Sequence, residues 1–381
     1  MSVPFDVAVV GLGAMGSSVA RLLARRGRTV IGFDAYAPPH DRGSSHGHSR
    51  MIREAYYEHP QYVPLVRRAY ELWREMEHEH GGRTFFVRTG GLMVGPESGV
   101  LVQGTLRSAR QFGIPHELLS AGKLHRRFPA FSPLPDMVAV LETRAGVLFP
   151  DQIVAANLEF ARAHGAELRG GEGVVGWESV AEGVALRTAG GRYLARQVVF
   201  AAGAWTGGLL HSLVLPLAVE RQVLHWMEPA GFAELFTPDR MPVSIWELAS
   251  GQLFHTKPDF GDGVKIGLHH GGAITTAETL ERRVTPAEDA VIFDLLRRFV
   301  PFAKGEIRQR AVCMYTNTPD GHFVIDRHPE VEAAIVVSAC SGHGFKFAPA
   351  IAEAVADLID ERQPRFDLSA FAIGRLAQSA N

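Results

Sequence analysis

The feature that most constrains this 381-residue chain lies near its start, where the apolar run Val7 to Val10 leads straight into Gly11-Leu12-Gly13-Ala14-Met15-Gly16. The hexapeptide has the pattern G-x-G-x-x-G, and it stands after a strand and at the opening of a helix read over residues 14–26. Gly27 stops that helix, and Thr29-Val30-Ile31-Gly32-Phe33-Asp34 reads as a second strand. Together they form a βαβ unit of about thirty residues. Gly11, Gly13 and Gly16 permit a tight turn and the close approach of a pyrophosphate. The helix start at Ala14 and Met15 turns backbone N–H groups toward its charge. Asp34 ends the second strand about twenty residues on, placed for the hydroxyls of an adenosine ribose. A glycine turn without ligand is the plainer reading, but the flanking βαβ pattern and the acid favour a bound dinucleotide.

The rest of the chain alternates between two kinds of pattern. Helices are predicted over 61–80, 101–112 and 151–164, with Asp151 as a candidate cap, and the segment 85–95 is strand-like. A buried strand over 197–202 follows paired glycines at 170–171 and 190–191. Residues 217–302 are β-rich with one helix near 286–299, and a strand over 334–339 precedes a helix over 347–359. Nucleotide-domain elements therefore come in three pieces, 1–84, 150–216 and 311–381. A second domain, 85–149 and 217–310, is threaded between them. The formal net charge of −2 argues against a nucleic-acid partner. No run of about 18 apolar residues suggests a membrane span, and the opening residues lack a leader pattern, so a cytoplasmic protein is expected. Two cysteines, Cys313 and Cys340, are expected to be free thiols. The histidines lack the grouping of a metal site.

Four further segments carry a family resemblance. They are Gly43-Ser44-Ser45-His46-Gly47-His48-Ser49-Arg50-Met51-Ile52-Arg53, Gly263-Val264-Lys265-Ile266-Gly267-Leu268-His269, Ala311-Val312-Cys313-Met314-Tyr315-Thr316 and Ser341-Gly342-His343-Gly344-Phe345-Lys346-Phe347. In order and spacing the chain resembles the monomeric sarcosine oxidase and N-methyltryptophan oxidase family over essentially its whole length. The resemblance implies an α/β fold of the D-amino acid oxidase type: a Rossmann-like FAD-binding domain in three pieces, interleaved with an antiparallel-sheet substrate domain.

The same resemblance implies the site. Cys313 would carry the FAD covalently through its 8α-methyl group, a reaction that needs a thiolate, which neighbouring cations favour. Arg50 would lie against the flavin, and Ser44, His46, Gly342, Gly344 and Lys346 would contact the cofactor. Arg53 and Lys346 would hold the substrate carboxylate, since two cations make a carboxylate clamp. Lys265 would activate dioxygen, because a nearby ammonium stabilises the anion that oxygen becomes on gaining an electron. His269, on the same side of its strand, would position substrate. Taken singly, these charges would more often be solvated, and a cysteine among apolar residues is usually core filler. Cys340 is expected to be structural.

The implied reaction is oxidation of a small secondary amino acid, sarcosine foremost, with O2 as acceptor and H2O2 as product, by a monomer. Leu253-Phe254-His255-Thr256-Lys257-Pro258 departs from the family pattern: Phe254 stands for a tyrosine and His255 for a glycine, which leaves the substrate name open. Ser45 also stands for a histidine. Alternatives are an NAD(P)-linked dehydrogenase of the β-hydroxyacid type, whose opening hexapeptide is similar, a flavin dehydrogenase with another acceptor, and a dinucleotide-binding sensor.

Overall fold

In the computed structural model, which describes residues 5–213 and 215–380, the strand Phe5–Val10 runs between two parallel neighbours. Residues 1–4 of the stretch read for a leader lie outside the described residues. The parallel strands Ala334–Ser338, Gly191–Phe200, Phe5–Val10, Val30–Asp34 and Glu167–Gly170 lie side by side in that order. The apolar runs at 7–10, 30–33, 198–200 and 334–337 fit a sheet covered on both faces, while the edge strand Glu167–Gly170 is only partly buried. Helices Ala14–Arg25, Tyr62–Glu79, Pro150–Ala163 and Ala348–Ile359 pack into the core on one face. The hairpin strands Val174–Val180 and Gly183–Thr188 and the edge strand Val324–Arg327 complete eight strands.

A second sheet has nine strands and is antiparallel except where Val243–Glu247 runs beside Gly91–Pro96. Its strand Val264–His269 shows why one sequence can serve core and site together. Side chains alternate across a strand. Val264 and Ile266 enter a core with Phe254, Trp246 and helix Pro286–Phe299, while Lys265 and His269 face the other way. That helix starts on a capping box, with Thr285 accepting from the Glu288 N–H and Glu288 accepting from the Thr285 N–H. Such a cap stabilises by about 1 kcal/mol. Ile292, Leu295, Leu296 and Phe299 then seal the sheet.

Three expectations need correction. Asp151 does not cap its helix: Pro150 takes the first helical position behind Phe149, so Asp151 falls in the first turn, where the helix dipole favours a carboxylate. The strand read over 85–95 is two strands, Phe86–Arg88 and Gly91–Pro96, broken at Gly90 with its positive φ of 75°. Strand Ile307–Asn317 pairs along its length with Ala218–Met227 in the nine-stranded sheet, so a boundary at 311 falls inside a strand. A small third sheet joins Arg50–Ile52, Gly146–Leu148 and Phe86–Arg88, and so takes strands from both sequence-defined units. The hairpin at 174–188 was announced in the sequence only by its glycine turns.

At Gly16 a Cβ would lie 1.7 Å from the Gly11 carbonyl oxygen, a backbone atom that cannot step aside. Gly16→Ala is therefore expected to lower stability by at least about 2 kcal/mol and to cut the FAD content of the purified protein. Thermal melting and absorbance at the flavin band check both.

Candidate active site

One cavity of about 860 Å³ runs from Gly11, Asp34 and Ala35 at one end to Lys265, His269 and Lys346 at the other. That volume lies in the upper part of the range for small-molecule and cofactor sites, about 300–1,000 Å³. At the first end Gly11 has φ +90°, and a Cβ on it would sit 2.5 Å from the Ala201 carbonyl oxygen. The loop is thus pressed against the neighbouring strand's exit, leaving its open side, with Gly13, Ala14 and Met15, to the cavity. Ser45 Oγ accepts from the Ala14 N–H at 2.9 Å, so this serine reaches the helix start. The Asp34 carboxylate accepts from the N–H of Leu12 at 2.9 Å and of Tyr36 at 3.0 Å, and stands 3.1 Å from His40 Nε2. A glycine cradle closed to any side chain, an acid at the second strand's end and a long continuous cavity fit FAD.

At the other end, the cavity is floored by one face of the nine-stranded sheet. Lys265 is 2 % exposed, and its Nζ donates to the carbonyls of Gly47 at 2.6 Å and Ser49 at 3.0 Å. It lies 5.0 Å from the centre of the Trp226 ring. Burial, then Lys257 and Arg50, push its pKa well down, while the two carbonyls and the ring oppose that by favouring the ammonium. Arg50 is locked by the carbonyls of Ser49, Ser44 and His46, at 2.9, 2.9 and 2.6 Å. Its Nη2 stands 3.9 Å from Cys313 Sγ, which also lies 3.7 Å from the Ser44 carbonyl oxygen. Cys313 is buried on the same sheet face, opposite Gln222. His46, expected as a cofactor contact, does not line the cavity; its backbone carbonyl positions Arg50 instead. Burial, then Arg50 and Lys265, hold the His46 imidazole neutral, with a pKa of about 3.

His269 Nδ1 is 3.1 Å from the Tyr315 hydroxyl, and burial keeps its ring neutral. Gly342 meets that ring: at φ +76°, a Cβ there would be 2.8 Å from His269 Cε1. Gly344 is equally confined, with a would-be Cβ 1.8 Å from the Ala339 carbonyl oxygen. The chain then makes one 3₁₀ turn, Phe345–Phe347, before the helix expected from 347 begins at Ala348. Lys346, in that turn, donates to the His343 carbonyl at 2.8 Å and to the Tyr56 hydroxyl at 3.1 Å. Cys340 Sγ accepts from the Thr316 N–H at 3.3 Å, and burial pushes its thiol pKa up, as fits a structural thiol.

The two expected clamp cations both reach the cavity but differ in state. Arg53 Nη2 is held by both Glu58 carboxylate oxygens, at 2.7 and 2.6 Å, with the rings of Tyr56 and Tyr57 against its guanidinium. Burial alone would lower its pKa, but Glu58 holds it above the ordinary value. Among the described residues Lys346 has no carboxylate in contact, and burial, then Arg53, bring its pKa down to about 7. Glu58 was missed from sequence because it sits in an irregular stretch without periodicity; a carboxylate five residues after a candidate cation was the available signal. Lys257 and Tyr315, also in the cavity wall, were passed over too.

A dinucleotide loop opening into one cavity that ends among buried cations defines a flavoprotein oxidoreductase. The sequence profile described as FAD dependent oxidoreductase matches residues 6–358. The chain is 44% identical over 363 residues to the monomeric sarcosine oxidase of Streptomyces avermitilis, covering 94% of both. It is 33% identical over 377 residues to the N-methyl-L-tryptophan oxidase of Salmonella newport, covering 98% of this chain and 100% of that one. The solved structure of NikD, an unusual amino acid oxidase essential for nikkomycin biosynthesis, superposes with a TM-score of 0.84 at 24% identity, covering 97% and 98% of the two chains. That last likeness speaks for the fold. The chain belongs to the monomeric sarcosine oxidase and N-methyltryptophan oxidase family of FAD-dependent flavoprotein amine oxidases. The nicotinamide alternative falls with this, and with a second unit built on a nine-stranded sheet.

Lys346 is charged below its pKa and neutral above it. The affinity of a simple carboxylate ligand such as propionate is therefore expected to fall as pH rises through about 7. The bound anion itself raises that midpoint. Lys346→Met should weaken binding about tenfold or more, the value of a charge-assisted hydrogen bond of about 1.5–3 kcal/mol, and flatten the pH dependence. Calorimetric titration from pH 6 to 9 measures both.

Proposed function

We propose that the protein oxidises a small secondary amino acid, with sarcosine as the first candidate, and passes the electrons to O2. The observation that carries this reading is the convergence of Lys265, Cys313 and His269 on one sheet face, with Arg50 beside Cys313 and the ammonium of Lys346 reaching the same cavity. The relatives bear names that state oxidation of N-methyl amino acids, and the identity to them extends along the whole chain.

FAD, when bound, would supply an acceptor for the hydride equivalent leaving the carbon beside the amine nitrogen and a two-electron donor for dioxygen. Gly11, Gly13, Ala14, Met15, Gly16, Asp34 and Ser44 would hold its nucleotide end and the approach to its ring, and Cys313 would hold the ring through a thioether. Arg53 and Lys346 fix the substrate carboxylate, which orients the amine and its methyl group. His269, neutral and tied to Tyr315, packs beside them and excludes water. The imine product takes up water to give aldehyde and free amine. Lys265 stabilises the anion formed when O2 takes its first electron, and two protons complete H2O2. The protein acts as a monomer in the cytoplasm; among the described residues no helix is long and apolar enough to cross a membrane.

The reading is tested on the purified protein by screening N-methyl and cyclic amino acids for peroxide formation. Sarcosine or a congener should give one H2O2 per amine consumed. Turnover that needs an added quinone and ignores O2 would replace the oxidase reading with a dehydrogenase.

Lys265→Met is expected to leave anaerobic bleaching of the yellow colour by substrate within a few-fold of wild type, and to slow its return in air by at least about 100-fold. Stopped-flow absorbance resolves the two rates. Equal slowing of both would remove the assigned role.

Cys313→Ser should release the yellow colour from acid-denatured protein and remove about one FAD mass from the intact chain. Mass spectrometry reads this directly, and a variant that kept its covalent flavin would place the attachment elsewhere.

A further inference from the structure

Two ionisable side chains on the sheet that carries Lys265 reach this cavity without any part in the chemistry above. His255 and Lys257 alternate along strand Leu253–Lys257 with Phe254 and Thr256, and Phe254 faces the apolar core. Register places Lys257 across from Lys265 and His255 across from Gly267. The missing side chain at Gly267 leaves room for that imidazole, since a Cβ there would be 3.3 Å from His255 Cε1.

Lys257 is 4 % exposed. Among the described residues its Nζ has one polar partner, His255 Nδ1 at 3.1 Å, although an ammonium carries three donors. No carboxylate pairs with it among the described residues. Of the cavity's acids, Glu58 is taken up by Arg53, Asp34 lies at the dinucleotide end, and Glu278 is exposed. Lys265, Arg50 and Lys346 line the same cavity. Burial, then Arg50 and Lys346, push the Lys257 pKa well down, and burial does the same to His255. A buried lysine without a counter-ion is costly, and the cost is offset when an anion arrives. An apolar residue would have filled this sheet position without that cost.

We infer that Lys257 and His255 form a subsite for a second carboxylate, so that the preferred substrate is an N-alkylated amino dicarboxylate. The inference rests on the reading of this cavity as a site for secondary amino acids. The α-carboxylate goes to Lys346 and Arg53, and the distal carboxylate accepts from the Lys257 ammonium and from the Nε2–H of the neutral His255 ring, whose Nδ1 accepts from Lys257.

Calorimetry on the FAD-loaded protein compares succinate and glutarate with butyrate, while peroxide assays compare N-methylaspartate and N-methylglutamate with N-methylalanine. One dicarboxylate should bind at least tenfold tighter than butyrate, a difference of about 1.4 kcal/mol, and the matching substrate should show a correspondingly lower KM. Lys257→Met, an apolar replacement of similar length, should bring the ratio of the two affinities close to one. Lys257→Arg should keep most of it. Equal affinities in the wild type, or a ratio unmoved in Lys257→Met, overturn the subsite. If N-methylalanine is oxidised and the dicarboxylates hold no advantage, the subsite fails and the oxidase reading stands. If no N-methyl amino acid yields peroxide while Lys257-dependent dicarboxylate binding persists, the oxidase reading fails and the subsite stands.

Discussion

The site depends on positive charge held out of water. Lys257, Lys265, Lys346 and Arg53 are all nearly inaccessible, Arg50 is half-buried among them, and among the described residues only Arg53 has a carboxylate in contact. The fold supports this with backbone oxygens. Gly47 and Ser49 accept from Lys265, three carbonyls accept from Arg50, and His343 accepts from Lys346. Carbonyl dipoles offset part of the desolvation cost without neutralising the charge, so the field remains available to an anion or to charge developing in a reaction. This explains why residues 43–50 form little regular structure. A strand or helix would have spent those carbonyls on its own ladder.

Such crowding needs a stiff floor. The strands carrying Lys265, Lys257 and Cys313 pair in sequence through Val264–His269, Leu253–Lys257 and the long ladder between Ala218–Met227 and Ile307–Asn317. Behind them Phe254, Val264, Ile266 and Trp246 interlock with Leu296 and Phe299. Mutual repulsion on one face is therefore resisted by close packing on the other. Rings such as Phe254 and Trp246, stacked 5.6 Å apart, leave little freedom for the sheet to splay.

The legible parts of the sequence were those where the chemistry is local. Gly11 to Gly16 and Asp34 revealed the βαβ unit because turn, helix start and strand end all fall within one short stretch. The alternation around Lys265 gave its strand, and one helix near 286–299 stood out within the β-rich stretch. What escaped depends on pairing across the chain. The Arg53–Glu58 pair lies in a segment with no period to read, and the exposure of Lys257 to the cavity follows only from its register against Lys265. The small sheet of 50–52, 86–88 and 146–148 has strands of three residues, too short to show a pattern. Asp151 was misassigned because an acid before an apolar run reads as a cap, whereas Pro150 had already opened the helix. His46 carried its role in a backbone atom, which side-chain identity does not disclose.

The parallel sheet has a consequence for how the chain is made. Strand Phe5–Val10 precedes its partner Gly191–Phe200 by nearly two hundred residues, and the strand beyond that, Ala334–Ser338, follows more than a hundred residues later again. Until then the apolar edge of Gly191–Phe200 has no permanent cover. Pairing between strands so far apart is slow, because loop closure must precede the contacts that reward it. The sheet thus stays incomplete until its latest strand is made, and an incomplete sheet presents apolar surface and unpaired edges that favour association.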